Sequence, residues 1–215
     1  MGIDRNRNTH VKLLAVIVVV CLVGGALGLW HGVLNDRLIP KRWAAIPGHN
    51  LYRSGQLSAS LVKKTLASHG IKVIVALTGD EPQNKDQQAE NQAAAELGIE
   101  LRRFPLDGYG TGDINQYAGA LATILEAERQ GQPVLIHCAA GVQRTGGVIA
   151  FYRLLIDKEP PAQVVQELRR HGWSPRQNPK LLPYLNENLG RLATLLHDQG
   201  LLDQVPDPLP VLQIL

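Results

Sequence analysis

A cysteine and an arginine stand six positions apart in a ten-residue stretch, residues 137–146, which reads HCAAGVQRTG. An apolar run at 133–136 precedes it and a segment with helical apolar spacing, 145–156, follows, so we predict a loop between a strand and a helix. The unpaired N–H groups of such a loop and the helix dipole favour a bound anion. Arg144 can bind two oxygens of that anion, and the same field favours the thiolate of Cys138. A thiolate beneath a bound phosphoryl group is placed to attack phosphorus.

The stretch resembles the phosphate-binding loop of the protein tyrosine phosphatases, His-Cys-x5-Arg-Thr/Ser-Gly, including the inner glycine. The resemblance implies a metal-independent phosphatase that works through a phospho-cysteine intermediate and needs no cofactor. Cys138 is then the nucleophile, and Arg144 binds the phosphate. The phosphate-binding residues that it implies are those of the loop and of the first helical turn: Ala139, Ala140, Gly141, Val142, Gln143 and Arg144.

Other residues near the loop receive supporting roles. By the same resemblance, His137 orients the loop and helps to favour the thiolate, although a histidine at a strand end can equally belong to the core. Thr145 can donate a hydrogen bond to sulfur, and it can also cap the helix. Gly141 allows a backbone curl that only glycine adopts at low cost. Arg53, within LYRSGQ at 51–56, matches a stretch of bacterial dual-specificity-like members, with a structural ion pair as the alternative.

The leaving oxygen of a phosphate ester needs a proton, which a carboxyl group in a facing loop can supply. Compact members of this family carry an aspartate about thirty residues before the cysteine, and Asp107 lies 31 positions before Cys138. Asp107 is therefore the predicted general acid. Asp113 is the alternative, but an aspartate that opens an amphipathic helix is usually its N-cap. Three glycines between these aspartates predict a mobile loop.

The elements that must position these residues alternate along the chain. We predict helices at about 58–70, 86–97, 113–131, 145–156, 160–171 and 178–199, and strands at 71–77, 99–104 and 133–136. This order predicts an α/β fold with a central, mostly parallel sheet flanked by helices, the cysteine-phosphatase fold. Ligands bind at the carboxyl ends of such strands, where Cys138 would lie.

The composition limits the class of protein. The 215 residues are 45% hydrophobic, carry a formal net charge of +3 and include two cysteines, Cys21 and Cys138. A globular body is expected, and two such distant cysteines give no disulfide framework. The small positive charge suits anionic substrates. Nucleic acid is not a predicted partner, because the sequence contains no basic stripe interleaved with aromatic residues.

An uncharged stretch near the N-terminus, residues 13–30, reads LLAVIVVVCLVGGALGLW. As a helix it would be roughly 27 Å long, near the hydrocarbon thickness of a bilayer. It therefore predicts a transmembrane helix or signal anchor and a single-pass membrane protein; a cleaved signal peptide and a buried helix are the alternatives. The cations of residues 1–12 predict this tail inside and the catalytic domain outside the cytoplasm.

The chain is thus expected to comprise a basic tail at 1–12, the membrane segment at 13–30, a linker at 31–49, a phosphatase domain at 50–200 and an apolar, proline-rich tail at 201–215. The predicted substrate is a phosphorylated protein or a small phosphate monoester, above all phosphotyrosine and also phosphoserine or phosphothreonine. Family members that act on inositides usually place lysines in the loop, whereas Ala139, Ala140, Val142 and Gln143 are uncharged. The alternatives are a membrane-tethered phosphatase of a lipid, nucleotide or sugar phosphate and a non-catalytic phosphate-binding module.

Overall fold

The computed structural model describes residues 17–24 and 38–214. The chain divides into two compact units, residues 1–39 and residues 40–215. In the first unit, residues 17–24 are helical and exposed. The second unit contains the sheet, the helices that cover it and the sequence-predicted site residues.

The predicted transmembrane helix at 13–30 is wrong. Within 17–24 and 38–214, no helix combines the length and the apolar character needed to cross a membrane. Three further predictions depended on the transmembrane helix and lose their support with it. They are a single-pass membrane location, membrane contact through 13–30 and an extracytoplasmic catalytic domain. The remaining residues of 13–30, and the tail at 1–12, lie outside the described residues.

The second unit is built on a five-stranded sheet. Its strands are β1 (Ala44–Ala45), β2 (Leu51–Gly55), β3 (Val73–Ala76), β4 (Glu100–Arg103) and β5 (Val134–Cys138). They lie in the order β1-β2-β5-β3-β4. The pairings β2–β5, β5–β3 and β3–β4 are parallel, while β1 adds an antiparallel edge, so the sheet is mixed. β1 lies within the segment predicted as a linker, and two residues are too few to show a periodic pattern.

Helices cover both faces of the sheet. They are α1 (Val62–Ser68), α2 (Lys85–Leu97), α3 (Ile114–Arg129), α4 (Gln143–Leu155), α5 (Pro161–Arg170) and α6 (Leu181–Asp198). Local capping sets several of these bounds. The side chain of Asn84 accepts hydrogen bonds from the first turn of α2, and Gly98 ends that helix with φ +62°. Asp113 caps α3 as its sequence position predicts.

Two apolar layers flank the sheet, because successive strand residues point to opposite faces. In β3, Val73 and Val75 pack on one side with α3, α4, α5 and α6, while Ile74 and Ala76 pack on the other with α1 and α2. The same alternation holds in β5 and sends Cys138 to the larger layer. The preceding residue, His137, faces the side of α1 and α2.

The apolar tail after residue 200 packs against α6. Leu212 is buried, its backbone N–H donates to Asn186 Oδ1 over 2.8 Å, and Asn186 Nδ2 donates back to the Leu212 carbonyl over 2.9 Å. The tail therefore belongs to the helical layer of the second unit.

Candidate active site

Cys138 ends the central strand β5 at the carboxyl end of the sheet. It pairs in register with Gly55, the last residue of β2, and its side chain is buried. The next four residues form a loop, here called the nucleophile loop (residues 139–142), which leads directly into α4. The structure therefore brings the cysteine to the strand-to-helix junction that the sequence predicts.

Three successive carbonyl oxygens of the nucleophile loop accept hydrogen bonds from outside the loop. The donors are the Gln56 backbone N–H to Ala139 at 3.2 Å, Arg42 Nη1 to Ala140 at 3.0 Å and Arg53 Nη2 to Gly141 at 3.1 Å. In a planar trans peptide the carbonyl and the following N–H point in opposite directions. Binding these carbonyls on the outside therefore turns the following N–H groups towards the inside of the loop.

Gly141 shows this inward orientation directly. Its N–H donates to Cys138 Sγ over 3.1 Å. Its φ is +74°, and a Cβ at this position would lie 2.6 Å from the backbone nitrogen of Gly55. Both observations require glycine, because a side chain would strain the backbone and overlap β2.

The surroundings of Cys138 favour its thiolate. Burial by itself raises the pKa of the thiol, yet the net shift is downward. The hydroxyl and backbone N–H of Thr145, the charge of Arg144 and the N–H of Gly141 stabilise the anion and outweigh the loss of solvation. Thr145 is fully buried in the first turn of α4, which is consistent with contact to sulfur.

The other residues predicted to bind phosphate occupy the loop and the first helical turn. Ala139 is exposed, Ala140 and Gln143 are half-buried, and Val142 is buried. Arg144 is half-buried at the start of α4, and its Nη1 donates to the Leu77 carbonyl at the end of β3 over 3.4 Å. Its guanidinium therefore lies between the carboxyl ends of two parallel strands.

His137 is buried on the opposite face of β5 from the nucleophile. Its Nε2 lies 2.9 Å from Oε1 of Glu90 on α2, and both side chains are about 1% exposed. Glu90 is not among the residues predicted from the sequence. One signal was available, since Gln87, Glu90, Ala93 and Ala94 form one helical face, and a glutamate on the buried face of a helix needs a partner.

Arg53 forms the ion pair that was the alternative for its sequence position, and it also contacts the nucleophile loop. Its guanidinium is buried, binds the Gly141 carbonyl and lies 3.9 Å from Oε1 of Glu167 on α5. Burial lowers the pKa of Arg53 to about 10, while the charge of Glu167 acts in the opposite direction. Arg53 is therefore an ion-pair residue and a support of the nucleophile loop.

Asp107 lies in a second loop at the same end of the sheet, here called the acid loop (residues 105–113). Its side chain is exposed and accepts a hydrogen bond from the Thr111 hydroxyl at 3.3 Å, and its backbone N–H donates to the Thr111 carbonyl over 2.9 Å. Asp113 instead accepts a hydrogen bond from the Asn115 backbone N–H as the N-cap of α3. The carboxylate of Asp113 thus serves the helix, and that of Asp107 faces solvent.

Three carbonyl oxygens of the acid loop are also bound from outside. The donors are Asn178 Nδ2 to Tyr109 at 2.7 Å, the Tyr117 hydroxyl to Gly110 at 2.7 Å and the Tyr184 hydroxyl to Gly112 at 2.9 Å. A Cβ on Gly110 would lie 2.9 Å from the Gln143 carbonyl, so the loop packs closely on the start of α4. The glycines of this loop predicted that it is mobile, which stays a prediction. The structure shows that Gly110 allows the loop to approach α4 closely.

The segment after α5 contacts the acid loop through Asn178. Trp173 is buried, and its indole N–H donates to the Asn178 carbonyl over 3.2 Å. Burial, and next the charge of Arg53, lowers the pKa of His171 to about 4. Arg176 is exposed. Among the residues that the structure describes, no cluster of His, Cys, Asp and Glu side chains could hold a metal ion.

The chain was compared with known protein families, and the region around this site matches one of them. Residues 54–183, more than half of the chain, match the model of a family described as Swiss Army Knife protein, DSP-PTPase phosphatase domain. This range runs from the end of β2 to the start of α6 and includes both loops.

Individual relatives carry similar names. The dual specificity protein phosphatase OPG106 of vaccinia virus is 37% identical over 62 residues, which are 28% of this chain and 36% of the viral protein. The chain therefore spans about a third of the length of the curated viral relatives that it matches. The dual specificity protein phosphatase TpbA of Pseudomonas aeruginosa is 27% identical over 172 residues, covering 75% of this chain and 72% of TpbA.

Solved structures show the same fold. The crystal structure of P. aeruginosa TpbA superimposes with a TM-score of 0.55 at 23% identity, over 74% of this chain and 97% of that one. The core catalytic domain of the PP-IP phosphatase SIW14 from S. cerevisiae gives a TM-score of 0.58 at 22% identity, over 80% of this chain and 98% of that domain. With the family match, the fold and the cysteine loop, the chain belongs to the protein tyrosine phosphatase superfamily, in its dual-specificity-like part, whose members are cysteine-dependent phosphatases.

Proposed function

We propose that this chain hydrolyses phosphate monoesters through Cys138, with phosphotyrosine of proteins as the main substrate and phosphoserine and phosphothreonine as further ones. The proposal places the activity in residues 50–200. The observation that carries it is the buried Cys138 in surroundings that lower its pKa, beside a loop whose carbonyls are bound on the outside. This arrangement leaves N–H groups and Arg144 to bind the oxygens of a phosphoryl group.

The reaction has two steps. Cys138 Sγ forms a bond to phosphorus while the ester P–O bond breaks, and the leaving oxygen takes a proton from Asp107. A water molecule then attacks phosphorus, the S–P bond breaks, and the Asp107 carboxylate takes the proton of that water. The products are the free hydroxyl compound and inorganic phosphate. Thr145 stabilises the thiolate that leaves in the second step, and His137 supports the strand end.

Asp107 is favoured over Asp113 as the proton donor by their different contacts. Asp113 caps α3, and Oδ1 of its carboxylate accepts hydrogen bonds from the backbone N–H and the side-chain amide of Asn115. Asp107 is exposed in a loop that packs on the first residue of α4, one residue before Arg144. These contacts support a donor at the rim of the phosphate site.

The substrate class is supported by the neutral side chains of the loop and by one aromatic side chain at its rim. Ala139, Ala140, Val142 and Gln143 offer no charge to a second phosphate. Tyr109 is 53% exposed and lies two residues after Asp107. Such a ring can pack against the ring of a phosphotyrosine. The name of the P. aeruginosa relative, dual specificity protein phosphatase, supports additional activity on phosphoserine and phosphothreonine.

The first test measures hydrolysis of p-nitrophenyl phosphate by the purified chain in the presence of a chelator. We expect turnover that Cys138→Ser abolishes, because an alcohol at this position does not ionise to a nucleophile at neutral pH. Binding of phosphate without turnover by the unaltered chain would instead support a phosphate-binding module.

The role of Asp107 is tested by comparing leaving groups. We expect Asp107→Asn to lower kcat on phosphotyrosine by about 100-fold and kcat on p-nitrophenyl phosphate much less, because nitrophenolate leaves without a proton. An equal loss on both substrates, or the same selective loss in Asp113→Asn, would contradict the assignment. A panel of phosphopeptides, inositol phosphates and phospholipids then identifies the substrate class.

A further inference from the structure

A buried charged pair lies directly behind the nucleophile. Because strand residues alternate, His137 points away from the site, and its Nε2 meets the carboxylate of Glu90 at 2.9 Å. Glu90 comes from α2, a helix that contributes no residue to either loop. Carboxylates are almost never fully buried without a partner, so this pair calls for a physical explanation.

Glu90 also contacts a residue that holds the nucleophile loop. Gln56 Nε2 donates to Glu90 Oε1 over 3.1 Å, and the backbone N–H of the same glutamine donates to the Ala139 carbonyl over 3.2 Å. On its other oxygen, Glu90 lies 3.3 Å from Nη2 of Arg103 at the end of β4. The charged groups that face Glu90 are therefore His137 from β5 and Arg103 from β4.

The charges of the pair depend on each other. Burial by itself would lower the pKa of His137, but the Glu90 carboxylate raises it overall, with a smaller contribution from Cys138. Burial would likewise raise the pKa of Glu90, but His137 and Arg103 lower it. The fold therefore favours the imidazolium of His137, the residue before the nucleophile, with its Nε2 against the Glu90 carboxylate.

We propose that Glu90 is a positioning residue of this site, which pairs with His137 one residue before Cys138 and joins that histidine to the nucleophile loop through Gln56. Without the carboxylate, only the smaller contribution of Cys138 opposes the lost solvation of the buried imidazole, so the imidazole loses its proton. The site then lacks the positive charge of His137, which is nearer to the sulfur of Cys138, as well as the negative charge of Glu90, which is farther away. The thiolate is consequently less favoured.

The thiol also faces other charged or titratable groups. Arg144 and Arg53 are cationic and favour the thiolate, and the phenol of Tyr117 lies close enough to interact. These groups remain in a Glu90 variant, so the effect of Glu90 is a shift in the titration of Cys138 rather than its loss.

The test measures alkylation of Cys138 by iodoacetamide across pH in the full chain, read at the Cys138 peptide by mass spectrometry. We expect Glu90→Gln and His137→Gln each to move the midpoint of alkylation upward by about one pH unit. The double variant should shift no further than either single variant, because both remove the same imidazolium. Glu96→Gln is the matched control on the same helix, because its exposed carboxylate pairs with Lys63 and should leave the midpoint unchanged.

Folding is checked by circular dichroism, and Glu90→Asp provides a second measurement, since it keeps the charge on a shorter side chain and should give an intermediate midpoint. An unchanged midpoint in folded Glu90→Gln, or in His137→Gln, would overturn the proposal. The catalytic meaning of the shift rests on the proposed function, but alkylation needs no turnover. A shifted midpoint in a chain without phosphatase activity would refute the proposed function and leave the role of Glu90 intact.

Discussion

The nucleophile loop and the acid loop are held in the same way by different chemistry. Apart from the carbonyl that begins the following helix, each has three carbonyl oxygens that accept hydrogen bonds from outside the loop. In the nucleophile loop two of the three donors are arginines, Arg42 and Arg53. In the acid loop all three are neutral: Asn178, Tyr117 and Tyr184.

The difference is consistent with the opposite needs of a nucleophile and of the general acid proposed in the acid loop. A nucleophile must be an anion, so cationic donors around its loop add to the field that favours the thiolate. A general acid must hold a proton, and cationic donors would favour the carboxylate, which has none to give. The predictions below test this contrast, in order of their expected effect on turnover.

Gly141→Ala tests the geometry of the nucleophile loop. A Cβ would overlap β2 at a residue with φ +74°, so the loop must move and its N–H groups lose their direction. We expect kcat/KM on p-nitrophenyl phosphate to fall by about 100-fold, comparable to the loss of an oxyanion donor. Gly131→Ala, at a positive-φ position with open space around it, is the control for backbone strain and should retain turnover.

Arg53→Met tests the cationic support. The variant removes the donor to the Gly141 carbonyl and the partner of Glu167, and we expect the free energy of unfolding in urea to fall by about 3 kcal/mol. Turnover should fall by about tenfold. Glu167→Gln leaves the bond to Gly141 in place, so it should lose stability but keep most of its turnover. Equal losses of turnover in both variants would show that the ion pair alone matters.

Tyr184→Phe tests the neutral support of the acid loop. Removing the hydroxyl frees the Gly112 carbonyl, at a cost of about 1 kcal/mol for one hydrogen bond. We expect kcat on phosphotyrosine to fall by about threefold while kcat on p-nitrophenyl phosphate stays the same. Burial, followed by the charges of Asp113 and Asp107, raises the pKa of Tyr184 to about 12, so its hydroxyl remains a donor at neutral pH. A matched loss on both substrates would contradict a role limited to proton donation.

Asp113→Ala should change turnover least. The variant removes the N-cap of α3, and we expect the free energy of unfolding to fall by about 1 kcal/mol. The ratio of kcat on the two substrates should match that of the unaltered chain. A change in this ratio would indicate that Asp113, and not Asp107, donates the proton.

Local sequence predicts the parts of this site that depend on neighbouring residues. Residues 137–146 predict the strand, the loop and the helix, because the turn chemistry lies within one short stretch. The cap of α3 by Asp113 is local in the same way. The short edge strand β1 shows no periodicity, since only two residues form it. The apolar run at 13–30 predicted a membrane helix from hydropathy alone, and no described helix meets that requirement.

The supports of both loops come from far along the chain and could not be predicted from local pattern. Arg42 is 98 positions from Ala140, and Asn178 is 69 positions from Tyr109. Glu90 resembles any other helical glutamate until the fold sets it against β5. Such contacts depend on the tertiary arrangement of strands and helices, which residue spacing does not encode.

The close contact between Gly110 and the Gln143 carbonyl has a kinetic consequence. The two loops meet at the start of α4, so Asp107, the proposed proton donor, is held beside the nucleophile loop before a substrate arrives. A rate limited by loop closure falls as the solvent becomes more viscous, whereas a rate limited by breaking of the P–O bond does not. The kcat of this chain on its fastest substrate should therefore be the same in buffer and in a viscous sucrose solution.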